Sequence, residues 1–358
     1  MFAKLVRSLK KSRRLLPAEL GELRSEEQLR DIIDRERARA DRSGLGFAVL
    51  KFSSREEATS HETFVCLAKI LNRRLRLTDE AGWLGDRQIG VVLPCTSAHG
   101  ARSVAGDICQ GFGPLAPPDC ELYYYPTDTN GQSDGPRNGS AARDESQVPG
   151  GAVESLFVQP MSLAKRTLDI AGAIVAITLA APIMLAAAAA VKLTSPGPIF
   201  YKQLRAGRGA HPFWMFKFRT MQINADALKK QLQDRNEMDG PAFKIKDDPR
   251  ITPVGRFLRR RSIDELPQLW HVLTGEMSLV GPRAMAWDEA EDCEPWQRRR
   301  LDVTPGLTGI WQVYGRARVS FNEWMRMDLQ YVDTRTLSSD LTLLAATVPA
   351  VLFGEGAY

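Results

Sequence analysis

From Ser25 to about residue 126, apolar positions recur first at helical and then at strand spacing. SEEQLRDIIDRERARADRSG opens at Ser25 with a capping signal and closes at the Gly44 turn, which predicts a helix. FAVLKF (47–52) is short and apolar enough for a buried strand. A second helical pattern runs from about Glu56 to Leu75, followed by strand-turn-strand in TDEAGWLGDRQIGVVLP (78–94). A helix near 97–112 and a last strand, ELYYYP (121–126), complete the set. This order predicts a compact α/β unit over residues 25–126. The stretch that follows (127–158) is rich in Gly, Ser, Asp, Asn and Pro and has little to bury, so it reads as a flexible linker.

From about Met161 to Tyr358 the pattern changes to a second domain. It begins with IAGAIVAITLAAPIMLAAAAAV (170–191), 22 residues without a charge and long enough to span a bilayer. Pro182 at its centre removes a helix hydrogen bond, and Lys or Arg lie on both flanks: Lys165 and Arg166 before, Lys192, Lys202, Arg205 and Arg208 after. A single crossing leaves one flank poor in positive charge. Both features therefore predict a re-entrant helix-break-helix over 168–193, against the alternatives of a spanning helix or a soluble, buried Ala-rich one. The apolar tail 341–353 is too short to span; it either lies in an interface or packs as core.

Net charge is only +5, but basic residues crowd Lys4–Arg14, Lys202–Arg219 and Arg250–Arg261. Such clusters suit phosphate-rich partners. Residues 1–24 are basic without the continuous apolar core of a secretory signal, and form either an amphipathic helix on a membrane surface or a solvated basic one. Five cysteines without CxxC spacing and four scattered histidines point to neither a disulfide framework nor a zinc site, and fit a reducing setting.

The motifs SPGPIFYKQLRAG (195–207), FKFRTM (216–221), DDPRITPVGRFLRRRSIDELPQLWHVLTGEMSLVGPR (247–283) and VTPGLTGIWQVYGR (303–316) follow in order. This series resembles the bacterial sugar transferases, the monotopic polyprenyl-phosphate phosphoglycosyl transferases, over essentially all of 161–358. The first unit is similar to the degenerate members of the GGDEF (diguanylate cyclase-like) fold, with its ferredoxin-like core. Leu84-Gly85-Asp86-Arg87-Gln88 replaces the family's metal-binding turn there and lacks its second Gly and its Glu, so no cyclase activity is expected. The expected fold class is thus an α/β N-terminal domain plus a mainly α-helical, membrane-associated catalytic domain.

The sugar transferase resemblance implies that Asp264 is the nucleophile on the β-phosphate of a UDP-sugar, that Glu265 is the Mg²⁺ ligand, and that a polyprenyl phosphate takes the phosphosugar. A carboxylate attacking a diphosphate needs cations around it, which Arg259, Arg260 and Arg261 supply upstream. A place near a helix start would keep Asp264 ionised. Taken alone, Ser262-Ile-Asp-Glu265 has the form of a capping box and would need no catalytic explanation. If Ser262 is the cap, Pro267 falls where a backbone N–H is wanted; a later start suits it better.

Arg259, Arg283 and Arg316 are candidate phosphate ligands, since guanidinium forks bind phosphate oxygens and keep their charge. Arg283 sits in Gly281-Pro282-Arg283, followed by Ala284 where the family has proline. Lys217 and Arg219 share a face of a strand, either toward phosphates or toward solvent. Lys165, Arg166, Asp169 and Pro182 are the expected membrane-anchor positions, with Asp169 paired to a basic neighbour. The resemblance further implies inner membrane lipid as a partner, the cytoplasmic face of the inner membrane as location, and a homodimer as the oligomer to test. No nucleic-acid partner is expected, because DNA binding through the basic clusters would leave the apolar segment unexplained. A regulatory adapter whose catalytic half has lost activity is the rival, against which the intact Asp264, Glu265 and arginines argue.

Overall fold

The structure is a computed structural model, and it describes residues 23–54, 60–126, 153–237, 239–243, 245, 247–315 and 319–353. The expected basic helix over 1–24 lies outside the described residues except at its end, where Arg24 forms a β-bridge to Gly82. The chain divides into two compact units, Met1–Asp128 and Thr129–Tyr358.

In the first unit, α1 (Glu26–Ser43) begins at Ser25, whose side chain and that of Gln28 form a reciprocal capping box. It ends at Gly44, which takes the left-handed φ of 70° that closes such helices. Then follow β1 (Phe47–Ser53), α2 (Ser60–Arg74), β2 (Glu80–Gly85), β3 (Gln88–Pro94), α3 (Ala98–Gln110) and β4 (Asp119–Tyr125). The antiparallel sheet has the order β2-β3-β1-β4, the ferredoxin-like arrangement. Strand alternation sends Ala48, Leu50, Phe52, Ile89, Val91 and Leu93 into one core with α2 and α3. Gly90, on the opposite face, lies against Leu29 of α1.

The second unit starts earlier than the composition suggests. Val153–Phe157, the last part of the expected linker, is a 3₁₀ turn with Val153, Glu154 and Phe157 buried. Glu154 pairs with Arg298 at 3.3 Å. The preceding glycine and serine run hides these few apolar residues from a compositional reading.

Next comes α4 (Leu163–Thr194), 32 residues and roughly 48 Å long. Among the described residues it is the helix long and apolar enough to cross a membrane, and only 11% of its most apolar stretch is buried. The helix runs through Pro182, where a break was expected. Proline removes one N–H and crowds the carbonyl four residues before it, and the helix nevertheless continues on both sides.

The expected membrane-anchor residues at the start of α4 are bonded to protein instead. Lys165 Nζ donates to Asp340 Oδ2 (2.7 Å), Val280 O (3.0 Å) and Tyr331 Oη (3.2 Å). Arg166 donates to the carbonyls of Val272 and Leu273 at 2.6 and 2.7 Å. Asp169 forms no ion pair among the described residues, although the charge of Lys165 one turn away favours its carboxylate; its Oδ1 accepts from Ser278 Oγ and Leu279 N, both at 3.0 Å. An anionic or cationic side chain buried in an apolar wall needs such partners, and here they come from the domain's own side chains and backbone.

A hairpin, β5 (Phe200–Ala206) with β6 (Pro212–Phe218), leads to α5 (Pro253–Arg260) and α6 (Leu269–Thr274). Arg166 thus supplies a cation to the carbonyl end of α6. A short parallel pair, β7 (Ser278–Val280) and β8 (Gly306–Thr308), then precedes α7 (Phe321–Thr334) and α8 (Leu337–Phe353). The domain is mainly helical, as expected, with these two small sheets inserted.

VGPR and VTPGLTG meet at that parallel pair. Gly281 N donates to Thr308 O, and Gly306 N to Pro282 O, each at 2.8 Å. A Cβ on Gly306 would stand 2.0 Å from Gly281 N. Gly306→Ala is therefore expected to cost about 2–3 kcal/mol, a loss of several degrees in Tm by calorimetry or circular dichroism. An unchanged Tm would show that the two backbones can part freely.

Candidate active site

Asp264 and Glu265 stand in a 3₁₀ segment, Ile263–Gln268, between α5 and α6. The capping box is absent: Ser262 adopts the left-handed φ of 53° and its side chain caps no N–H. The chain leaves α5 in a tight turn instead, with Ser262 N bonded to Arg259 O and Glu265 N to Ser262 O. Pro267 lies inside this segment and is buried. Ile263 packs near Phe218 and Leu258, while Leu266 packs toward Leu269 and Leu279. Apolar neighbours thereby fix the aim of the two acids.

Four cations from four elements converge on the pair. Lys217 comes from β6, Arg205 from β5, Arg259 from α5 and Arg283 from the turn after β7. Arg283 grips Glu265 with both guanidinium nitrogens, at 2.5 Å to Oε1 and 3.4 Å to Oε2. Arg259 Nε donates to Thr220 Oγ1 (2.8 Å), and Arg205 to Ala284 O (2.9 Å) and Gln203 Oε1 (2.7 Å). The alanine at 284 is accommodated: it is buried, and its carbonyl orients Arg205.

The electrostatics differ from the expectation of a helix start holding Asp264 ionised. Burial, reinforced by the Glu265 carboxylate, pushes Asp264 up to about 6. A single 3₁₀ segment offers too small a dipole to offset that. Burial also raises Glu265, but the charge and hydrogen bonds of Arg283 outweigh it and hold the carboxyl below its usual range. Burial, with Arg205 and Arg259 close by, pulls Lys217 down to about 7.

Of the expected phosphate ligands, the structure brings Arg259, Arg283 and Lys217 together. Arg219 lines the same cavity but is committed to structure: its Nη2 donates to Ser195 O (2.8 Å) and Oγ (2.7 Å), holding the turn after α4. The strand places it on the Lys217 face, but the first polar atoms it reaches are that turn's. Arg316 lies outside the described residues. Arg260 and Arg261 are exposed rather than packed around the acids, though Arg261 lines the cavity.

The cavity measures about 1140 Å³. Residue type alone did not single out Arg205, or the buried pair Asp248–Arg250 (2.6 Å) in its wall. The signal for the latter is the DDPR motif. A further buried chain backs Arg283: Arg300 donates to its carbonyl, pairs with Asp328, and lies over Trp324. Trp324 stacks on Trp311, above which Arg283 sits.

Among the described residues no three acidic, His or Cys side chains cluster for a metal. Glu265 alone suits an ion such as Mg²⁺ that takes its remaining ligands from phosphate and water, provided Arg283 yields an oxygen. The donor set fits on that condition.

The buried Asp264 carboxyl keeps its proton to about pH 6 against 3.8 for a free side chain, so ionising it at neutral pH costs the fold. Asp264→Asn is expected to stabilise the protein by on the order of 2 kcal/mol above pH 6. The gain should shrink as pH falls through that range and vanish below about 3.8. Denaturant titrations at several pH values measure it, and a pH-independent difference would contradict this account.

Comparison with known proteins places the second unit. Residues 160–354 match the family model described as bacterial sugar transferase. The galactosyl transferase CpsE of Streptococcus agalactiae is 42% identical over 54% of this chain and 43% of its own length. ExoY, an exopolysaccharide production protein of Rhizobium meliloti, is 39% identical over 57% of this chain and 93% of its own. A UDP-glucose:undecaprenyl-phosphate glucose-1-phosphate transferase of Caulobacter vibrioides is 41% identical over 59% and 76%. The chain thus spans less than half of the streptococcal relative and most of the other two. The isolated GGDEF domain of TpbB (YfiN) from Pseudomonas aeruginosa covers 30% of this chain and 74% of its own at 20% identity, with a TM-score of 0.27. The first unit is accordingly described by its own βαββαβ order. With its family model covering more than half of the sequence, the chain belongs to the bacterial sugar transferase family.

Proposed function

We propose that the chain transfers a sugar 1-phosphate from a UDP-sugar to a polyprenyl phosphate such as undecaprenyl phosphate, opening the assembly of an exopolysaccharide or related glycan. The observation that carries this reading is a buried Asp264 ringed by Lys217, Arg205, Arg259 and Arg283 in a large cavity. Relatives named for the same transfer support it.

In this mechanism an Asp264 oxygen forms a bond to the β-phosphorus, and the bond from that phosphorus to the bridging oxygen breaks. The electron pair leaves with UMP. An oxygen of the polyprenyl phosphate then attacks the same phosphorus, and the bond to Asp264 breaks. Lys217, Arg205 and Arg259 draw the diphosphate against the carboxylate and offset the charge it gains. Burial holds Asp264 near the pH at which it can still lose its proton, so the attacking group is poorly solvated when ionised. Glu265 would hold Mg²⁺ with the oxygen that Arg283 gives up when its guanidinium turns to the phosphates. When bound, Mg²⁺ neutralises phosphate charge and stabilises the leaving oxygen.

We place the protein on the cytoplasmic face of the inner membrane, with α4 entering the bilayer and both of its ends held on the same side. Both ends of α4 are tied to one folded unit, Lys165 to Asp340 and Ser195 to Arg219, which supports re-entry over crossing. In a cysteine-free background, Leu163→Cys and Leu193→Cys, both at exposed positions, should label from the same side. Labelling from opposite sides would reject re-entry.

The reaction itself is read by incubating the protein with UDP-hexoses and Mg²⁺ and measuring UMP and the mass of the protein. A phosphohexose adduct that Asp264→Asn abolishes is expected. No UMP with any UDP-hexose, or full activity in Asp264→Asn, would sink the mechanism. The rate should rise with pH through about 6 as Asp264 ionises, and fall above about 7 as Lys217 loses its charge. Lys217→Arg should keep activity and lose the alkaline fall; Lys217→Met should lower the rate by about 100-fold.

A further inference from the structure

Within its two-stranded sheet, β6 pairs with β5 alone. Arg219 N donates to Ile199 O, so by the alternation of an antiparallel ladder Phe216 turns its N–H away from β5. That N–H meets a side chain of α6: Phe216 N donates to His271 Nε2 at 3.1 Å. The imidazole has little freedom to move. It is buried, lies parallel to the Phe216 ring (5.3 Å, 11°) and stands edge-on to Phe213 (5.5 Å, 64°). Its Nδ1 is 2.7 Å from Glu276 Oε2, which also accepts from Thr274 Oγ1 at 3.0 Å. A backbone N–H only donates, so Nε2 presents its lone pair and the ring proton sits on Nδ1, facing the carboxylate.

The two ends of this bond lead to opposite sides of the site. Lys217 follows Phe216 in the chain. His271 lies in the first turn of α6, which directly continues the segment carrying Asp264 and Glu265. Arg166 secures the carbonyl end of the same helix. Lys217 needs such a tether, because Arg205 and Arg259 stand close enough to oppose its charge, and that repulsion acts against the approach of β6 to the acids. We infer that His271 is a positioning residue: by accepting the Phe216 N–H it locks β6 to the helix behind the two acids and so sets the place of Lys217 beside Asp264. This rests on the proposed transfer and adds a residue that acts in it through Lys217.

His271→Leu removes the acceptor, whereas His271→Gln keeps a carbonyl able to take the same N–H. UMP formation is expected to slow about tenfold in the first and to stay within about threefold of the unaltered protein in the second. In a Lys217→Met background, His271→Leu should cost less than about twofold more, because the group it acts through is gone. A folded His271→Leu protein at full rate, a His271→Gln protein as slow as His271→Leu, or the same cost repeated over Lys217→Met overturns the inference. The bond itself is read without turnover in protein labelled with ¹⁵N-histidine, the His271 signals being those that His271→Gln removes. At neutral pH its Nδ1 should carry the proton and its Nε2 none. A proton on Nε2 overturns the inference whether or not His271→Leu folds. The expected tautomer in a protein that forms no UMP would uphold the tether on β6 and count against the transfer instead.

Discussion

Two adjacent carboxyl groups withdrawn from water are the constraint around which the catalytic unit is arranged. Asp264 is 6% exposed and has Glu265 beside it, so the fold must bring positive charge from several directions to keep the pair. A hairpin delivers Arg205 and Lys217, a short helix Arg259, and a parallel strand pair Arg283. Each of the three arginines then has an orienting partner of its own: Thr220, Ala284 O, or the stacked tryptophans under Arg283. The motifs scattered over a hundred residues become one set of dependencies when traced back to those two acids. The same burial that makes Asp264 hard to ionise leaves it weakly solvated once it is.

A second arrangement places an apolar helix on this charged unit. The first turns of α4 carry Lys165, Arg166 and Asp169, which are spent on α8 and β7, on the end of α6, and on β7 again. Tyr331 joins Lys165 and Asp340 to the carbonyl of Val280, so α7 enters the same network. Polar bonds at one end thus hold a helix whose middle offers mostly hydrocarbon. The far end is secured differently, with Ala187 and Val191 packed on Phe218 and Leu258 beside the site.

Much of this was legible in the sequence, and the failures share a cause. Periodicity and turn residues locate the first unit's elements, since Ser25, Gly44 and the strand alternation act locally. The Asp264–Glu265 pair, Lys217, Arg259 and Arg283 were marked by motif. Residue type does not say what a cation will touch. Arg219 is expected as a phosphate ligand and Lys165 and Arg166 as membrane-anchor positions; in the structure they bond to carbonyls, hydroxyls and Asp340. Ser262 has the identity of a cap but not its backbone, because the chain needs a left-handed residue to turn out of α5. Arg205 looked like one more flanking charge until strand pairing set it opposite Phe213 and beside Ala284.

The close meeting of Gly281 and Gly306 has a consequence for how such a chain can vary. A side chain on either glycine would enter the other's backbone, since the added Cβ atoms would sit 2.8 Å from Gly306 N and 2.0 Å from Gly281 N. Enlarging one residue cannot be compensated by shrinking its partner, which is already the smallest available. Drift at either position is closed in both directions, so Arg283 inherits a backbone address that selection can remove but scarcely move.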